Sequence, residues 1–378
     1  MGESRLFVFK EDLAVLDKPL FGSVALLVLF GVACIYSAGA GGGRGAGYAF
    51  RQLGWCAVSC LLYIAVVTVG YRRFMELAYP IYGLALLTLA LTAVIAPEVK
   101  GAQRALSLGF IRIQPSEFGK ISLILILSKF LSRYPPFTLK TFAAGLAVGF
   151  PALFLVLIQP DAGSALVYAV IIFAALFVAG TPFKYLGSLV GLSSAMLPFA
   201  WFFLKDYQKM RLLVFLDPTR DPLGAGYNVI QSRIAVGSGG VWGKGFFQGL
   251  QSKLRFLPEP HTDFIFSVYA EEFGFWCSVG LLCVFALVFT RIVGAGMKSR
   301  DVQGKFIAAG TAAWIWFQMF ESIGMSMGLM PVTGIPMPFL SYGGSSLLSL
   351  SIALGLVASV HASSTRRISE KIFNSGGF

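Results

Sequence analysis

The sequence predicts an all-α integral membrane protein with about ten transmembrane helices and one long loop outside the membrane. Hydrophobic residues make up 56% of the 378 residues and charged residues only 13%, whereas a soluble domain carries about 25% charged residues. The mean hydropathy is +0.76. A helix needs about 20 apolar residues to cross a bilayer, and ten runs approach or exceed that length: 19–38, 50–70, 75–96, 117–133, 140–158, 162–180, 184–204, 264–290, 304–328 and 343–362. We therefore expect residues 1–378 to form a single polytopic membrane domain.

The distribution of basic residues predicts the orientation of these helices. With the N-terminus in the cytoplasm, 16 of the 30 Lys and Arg residues fall in cytoplasmic segments. The short outer loops then hold five, which are Arg44, Arg51, Lys100, Arg104 and Arg112. Cytoplasmic loops of membrane proteins are enriched in Lys and Arg, so both termini are expected in the cytoplasm. This bias accounts for most of the net charge of +12, and no nucleic-acid partner is needed to explain it.

Residues 205–262 interrupt the apolar runs and are predicted to form the long outer loop. Loops of this length are uncommon unless they are functional. Its basic residues include Arg211, Arg233 and Lys244, which are candidates to bind a phosphate group. Its glycine cluster, GSGGVWGKGFFQG, indicates tight turns or close approach of the backbone to a ligand. The cluster lacks the spacing of a phosphate-binding P-loop.

Several ionisable residues lie inside the apolar runs, where inserting a charge costs about 2.5–3.5 kcal/mol. Glu117 and Lys120 are three residues apart and so share a helix face, where they form either a neutralised pair or part of a site. Asp161 fits either a helix N-cap or a site residue. Glu321 has no basic residue three or four positions away, so it either faces a hydrated cavity or is protonated.

The stretch LPEPHTDFIFSVYAEE, residues 257–272, places acids at the start of an apolar run. Asp263 lies at the membrane boundary, where it is either a simple N-cap or an ionised acid of a site. Glu271 lies eight residues later, about 12 Å deeper along a helix, so Asp263 and Glu271 are expected to line one cleft. Glu272 must then find another partner. An acid at such a boundary can accept a proton from a sugar hydroxyl while nearby cations hold a phosphate leaving group. A lipid-borne diphosphate is the natural substrate for that chemistry.

Four segments carry a resemblance to a known family. They are GAQRALSLGFIRIQPSEFGK, QPDAGSA, the block from RLLVFLDP to HTDFIFSVYAEEFG, and MGLMPVTGIPMPFLSYGGSS. Together they resemble the SEDS family (shape, elongation, division and sporulation), and its elongation branch more than its division branch. Three positions depart from the family pattern: Ala105 follows Arg104 where an aromatic residue is usual, and Ala162 and Ser164 replace Leu and Thr.

The resemblance implies a ten-helix peptidoglycan glycosyltransferase that polymerises lipid II on the outer face of the bacterial cytoplasmic membrane, for cell elongation and shape. Its partners would be lipid II, a class B penicillin-binding protein and the elongation machinery. The family's essential acid falls on Asp263, and Arg211 matches a basic residue that meets the diphosphate. Glu117, Lys120 and Asp161 match charged positions of the family motifs. For the cofactor, the alternatives are none or a divalent cation such as Mg²⁺ or Mn²⁺.

Two other classes of function remain compatible with the sequence. A flippase for a lipid-linked precursor would also use ten spans and embedded acids such as Glu321. The predicted polar residues, however, cluster on the outer side, with nothing comparable at the cytoplasmic side. The other alternative is a non-catalytic activator of a penicillin-binding protein, which would not need an acid at the mouth of a cleft.

Overall fold

The computed structural model describes residues 17–40, 42–96, 105–108, 111–222, 224–257 and 259–375. The elements in chain order are α1 (Lys18–Ala40), α2 (Gly45–Val69), α3 (Tyr71–Glu76), α4 (Ala78–Ile95), β1 (Leu106–Leu108), β2 (Ile111–Ile113), α5 (Pro115–Arg133), α6 (Leu139–Ile158), α7 (Ala162–Val178), α8 (Phe183–Phe203), α9 (Asp206–Leu216), a 3₁₀ turn (Pro218–Arg220), α10 (Ala225–Ser238), α11 (Leu250–Lys253), α12 (Ile265–Lys298), α13 (Val302–Met327) and α14 (Gly344–Ser375). Of the residues used in the sequence analysis, Lys100 and Arg104 lie outside the described ranges.

Each of the ten predicted apolar runs coincides with one long helix, so the predicted all-α membrane architecture is confirmed. Six of these helices are long and apolar enough to cross a membrane by themselves, and they are α1, α2, α4, α6, α12 and the first part of α14. α7 is apolar but has only 17 residues. The chain is therefore a multi-pass membrane protein.

The helices α5 and α13 are less apolar because they lie at the centre of the bundle. They pack against each other and against α7, and most of their residues are buried. A helix surrounded by other helices can carry polar side chains, provided that these are hydrogen-bonded inside the protein. This position accounts for the acids and serines in both helices.

The long predicted loop is largely helical and packs onto one end of the bundle. It contains the helices α9 and α10, and α10 packs against α12 and α13. The buried Ser232 hydroxyl of α10 donates to the backbone oxygen of Ser326 at 2.7 Å and lies 2.6 Å from the Ser267 hydroxyl. These contacts anchor the loop. We call this end of the bundle, where the described residues of 204–264 and residues 329–343 lie, the loop end.

One element was not predicted from the sequence. The strands β1 and β2 form a short antiparallel hairpin between α4 and α5, with Leu106 opposite Ile113. Three residues per strand are too few to give a clear alternation of apolar and polar side chains, which is the usual strand signal.

Candidate active site

The candidate site forms around residues 329–343, an irregular segment that connects α13 to α14 at the loop end. The segment begins where Gly328 ends α13 in the left-handed conformation. Further along, the Ser341 hydroxyl donates to the Thr262 backbone oxygen at 2.7 Å, and the Tyr342 N–H donates to the His261 oxygen at 2.9 Å. The segment is thereby fixed directly beside Asp263.

Asp263 is half-buried and lies just before α12. The N-cap of that helix is Phe264, whose side chain makes no cap hydrogen bond, so Asp263 is not the N-cap residue that one interpretation expected. The carboxylate faces Gly334: a methyl group added to Gly334 would lie 3.4 Å from the Asp263 Oδ2. Two residues before Asp263, the His261 ring stacks on Tyr48 of α2 with a centroid distance of 4.4 Å. This contact fixes the segment before Asp263 against α2.

Arg211 reaches the same segment from α9. Its Nη1 donates to the Thr333 backbone oxygen at 3.2 Å, and its guanidinium lies 5.7 Å from the Tyr207 ring centroid. A cavity of about 120 Å³ opens beside it, lined in part by Tyr207, Pro331 and Thr333. The predicted acid and the predicted cation thus contact adjacent residues: Asp263 faces Gly334, and Arg211 binds Thr333.

Glu321, on α13, contacts Thr333. Its side chain is only 2% exposed, and its Oε1 accepts a hydrogen bond from the Thr333 hydroxyl. The charges of Asp263 and Arg211 both lie within electrostatic range of this carboxylate. One predicted alternative was that Glu321 faces a hydrated cavity. The structure instead encloses its side chain against residues 329–343.

Asp161 supports the site through a helix. Its Oδ1 accepts from the Ser164 N–H at 3.3 Å and its Oδ2 from the Ser164 hydroxyl at 2.7 Å, so the predicted N-cap of α7 is confirmed. The first turn of α7 then packs against the site segment, because a methyl group added to Gly163 would lie 3.1 Å from the Thr333 Cβ.

Glu271 lies away from this site, and the expectation that it lines a cleft with Asp263 is wrong. Its side chain is fully buried, and it accepts hydrogen bonds from four groups: the Lys244 Nζ at 2.8 Å, the Leu250 N–H at 2.9 Å, the Gln251 N–H at 3.3 Å and the Ser238 hydroxyl at 3.5 Å. These donors all belong to residues 238–251 of the long loop, so the loop encloses the carboxylate and leaves it no open cleft to line.

Three residues after Glu271, α12 is broken at Gly274, whose φ of 75° and ψ of −168° are not helical. The glycine cluster of the long loop fills the break. The Lys244 and Gly245 N–H groups donate to the backbone oxygens of Glu271 and Glu272 at 3.0 and 2.9 Å. In return, the Phe275 and Trp276 N–H groups donate to the backbone oxygens of Gly240 and Val241 at 3.0 and 3.4 Å. This close approach of the two backbones requires glycine, because a methyl group on Gly243 would lie 2.2 Å from the Glu272 backbone oxygen. The cluster therefore binds the broken helix and is not the ligand cradle considered from the sequence.

The length of α12 explains how two acids fit into it. Its 34 residues would extend about 51 Å at 1.5 Å per residue, well beyond the roughly 30 Å of hydrocarbon in a bilayer. Residues 265–273 precede the break and pack inside the loop end, where Glu272 accepts a hydrogen bond from the Ser37 hydroxyl of α1. The acids are therefore buried in protein and not in lipid.

The remaining predicted cations occupy structural contacts. Lys244 pairs with Glu271, and the exposed Arg233 donates from Nη2 to the Gly328 oxygen at 2.8 Å, at the end of α13. That either residue binds a diphosphate stays a prediction. Among the described residues, no three His, Cys, Asp or Glu side chains converge to hold a metal ion.

Glu117 and Lys120 form the predicted pair in the interior of the bundle. The Lys120 Nζ lies 2.6 Å from the Glu117 Oε1, and both side chains are buried. The ammonium also lies 5.0 Å from the centroid of the Trp314 ring, and the Ser349 hydroxyl lies 3.4 Å from Glu117 Oε2. The pair thereby links α5 to α13 and α14.

Comparison with known proteins places this geometry in a family. A family model described as "Cell cycle protein", for FtsW, RodA and SpoVE, matches residues 17–366. The chain belongs to the SEDS family. Among SEDS relatives, the peptidoglycan glycosyltransferase MrdB of Escherichia coli K12 is 37% identical over 353 residues, which cover 93% of this chain and 94% of that protein. The peptidoglycan glycosyltransferase RodA of Treponema pallidum is 33% identical, with 92% of this chain and 97% of that protein covered.

Solved SEDS structures share the fold. A chain from a peptidoglycan synthase complex, studied for the coordination of polymerization and crosslinking, superposes with a TM-score of 0.79 at 34% identity and covers 92% of this chain and 98% of its own length. The crystal structure of the rod shape determining protein RodA of Thermus thermophilus gives a TM-score of 0.70 at 33% identity, with 92% and 96% covered.

Proposed function

We propose that the chain is a peptidoglycan glycosyltransferase of the RodA type, which polymerises lipid II into glycan strands for cell elongation and shape. The observation that carries the proposal is that Asp263 and Arg211 contact adjacent residues, Gly334 and Thr333, at the loop end. Full-length similarity to MrdB and RodA supports the reaction class.

The reaction is an inverting glycosyl transfer. Asp263 accepts the proton of the acceptor sugar's C4 hydroxyl as that oxygen attacks the anomeric carbon of the donor. General-base assistance of this kind contributes about 10²–10⁴ in rate. Arg211, at the mouth of the cavity beside Thr333, stabilises the negative charge on the undecaprenyl diphosphate as it leaves.

The proposed orientation follows from the basic residues. With both termini in the cytoplasm, the loop end faces the outer side of the bacterial cytoplasmic membrane, where the headgroup of lipid II is available. The enrichment of Lys and Arg in the opposite loops supports this orientation. A divalent cation that shares the charge of the leaving diphosphate with Arg211 stays an additional proposal.

The proposed protein partner is a class B penicillin-binding protein, which crosslinks the strands within the elongation machinery. The support is structural similarity to a chain of a peptidoglycan synthase complex that coordinates polymerization and crosslinking. A polymerase and a crosslinking enzyme act on the same strand, so their assembly is chemically reasonable.

The experiment is polymerisation of purified lipid II by the chain co-purified with its cognate penicillin-binding protein, with crosslinking blocked and the strands separated on a gel. We expect long strands from the wild type and none from Asp263→Asn. Asp217→Asn is the matched control, because Asp217 is an exposed carboxylate of the same loop, and it should give long strands. Strands from Asp263→Asn equal to the wild type would place the base elsewhere. An intact wild-type complex that makes no strands would favour the flippase or activator alternative.

A further inference from the structure

We propose that Glu321 is a positioning residue of the reaction: through Thr333 it sets the distance between the proton-accepting Asp263 and the leaving-group cation Arg211. The inference rests on the proposed function and adds a residue that the family motifs quoted above do not assign. It is carried by a set of contacts that meet on Thr333 and Gly334.

The first step is the grip of Glu321 on Thr333. The Thr333 hydroxyl donates to the Glu321 Oε1, and the Thr333 backbone N–H also faces this carboxylate. Hydrogen bonds to a carboxylate are about twice as strong as neutral ones. Because α13 is packed at the centre of the bundle, Glu321 supplies a fixed point for an otherwise irregular segment.

The second step is the connection from Thr333 to both reacting groups. The Thr333 backbone oxygen accepts from Arg211 at 3.2 Å, so a shift of this residue moves the guanidinium. The next residue, Gly334, has a φ of 77° and lies against the Asp263 carboxylate. A movement of the Thr333 peptide therefore changes both sides of the reacting pair at once.

The third step is the position of Glu321 itself. Its side chain is 2% exposed, and Oε1 is bound to Thr333, so Glu321 has no route to the substrate and acts through Thr333. Its Oε2 has no hydrogen-bond partner among the described residues. An unsatisfied buried polar group costs about 1–3 kcal/mol, and more when it is charged. An apolar side chain would avoid this cost, which is the reason that we infer a function for the acid.

The experiment uses four variants of the intact complex. Glu321→Leu and Thr333→Val remove the hydrogen bond. Glu321→Gln keeps an acceptor, and Thr333→Ser keeps a donor. We expect the first two to lower kcat for lipid II by about 10- to 100-fold, the size of effect that misplacement of reacting groups produces. KM should stay unchanged because Glu321 does not touch the substrate. The two conservative variants should retain at least a third of wild-type kcat, and Glu321→Leu combined with Thr333→Val should be no worse than the poorer single variant.

Ser37→Ala is the matched control. It removes a hydroxyl that donates to another buried acid, Glu272, whose Oε2 likewise has no partner among the described residues. We expect it to lower the melting temperature of the complex without lowering kcat. The melting temperature and the recovery of the partner are measured for every variant. Should Glu321→Leu fail to fold, the comparison of Thr333→Val with Thr333→Ser decides, since both keep the acid.

The outcomes separate this inference from the proposed function. Wild-type kcat in Glu321→Leu and Thr333→Val, together with inactive Asp263→Asn, would overturn the positioning role and leave the polymerase intact. Loss of kcat in Glu321→Leu but not in Thr333→Val would also overturn it, because the acid would then act by another route. An active Asp263→Asn would instead contradict the proposed base.

Discussion

Glu271 and Glu321 are two buried acids at the same end of the molecule, and their surroundings differ. Glu271 accepts from an ammonium, two backbone N–H groups and a hydroxyl, whereas Glu321 is bound by Thr333 and its Oε2 lacks a partner among the described residues. A buried carboxylate with several donors contributes to the fold. One with an unsatisfied oxygen beside a reactive acid is a candidate for function. The number of donors, more than the depth of burial, separates the two roles.

The largest expected effect comes from breaking the region around Glu271 at its backbone. Gly274→Ala forces an alanine into a conformation that is essentially restricted to glycine, and its methyl group would lie 2.2 Å from the Gly243 nitrogen. We expect a loss of at least about 3 kcal/mol in stability, seen as poor recovery and a lower melting temperature. Gly294→Ala, in the same helix with open space around it, is the control and should be neutral. Equal melting temperatures for both variants would contradict the proposed role of the break.

A smaller effect is expected from the charge of Glu271. Glu271→Gln leaves Lys244 without its anion, and breaking a buried pair costs about 3 kcal/mol or more. Because the Lys244 side chain is 26% exposed, water compensates part of this, and we expect about 2 kcal/mol. Thermal unfolding of the complex measures the change. Glu271→Gln combined with Lys244→Met should be less destabilised than Glu271→Gln alone, and an additive result would show that the two charges do not depend on each other.

The smallest effect is expected at Arg233, the exposed cation near the Glu321 helix. Arg233→Met removes a donor from the Gly328 oxygen at the end of α13. A cation at a helix C-terminus contributes about 0.3–1 kcal/mol, so the melting temperature should fall only slightly. A large loss of polymerisation without unfolding would instead support the prediction that Arg233 binds the diphosphate.

The sequence was sufficient for the architecture because the bilayer restricts what a chain can do. Only helices of about 20 residues satisfy their backbone in hydrocarbon, so each apolar run predicted one helix. The same restriction made Asp263 visible as a candidate, because a charged residue at the end of an apolar run needs a reason. Arg211 was one of several loop cations, and the family resemblance singled it out. Capping of α7 by Asp161 and pairing of Glu117 with Lys120 were readable from spacing alone.

The parts that the sequence did not predict depend on contacts between distant segments. Thr333 and Gly334 lie in a stretch rich in Pro and Gly, which has no periodicity to indicate which side chain points where. The break at Gly274 was hidden because a single glycine is tolerated within a helix. Without the break the glycine cluster had no visible partner, and nothing in the sequence indicated that the loop encloses Glu271. Only the fold brings residues 239–245 against residues 270–276.

The docking of the glycine cluster into the broken helix has a consequence for the order of assembly. Residues 239–245 leave the ribosome before α12, so their binding partner, residues 270–276, is synthesised after them. The apolar segment from Phe275 to Lys298 spans about 36 Å and is long enough to insert without the acid-bearing turns before it. We therefore expect the membrane helices to be in place before the loop end closes. Since the site segment 329–343 follows α12 and α13 in the chain, we expect the site to be completed only after these helices have been made.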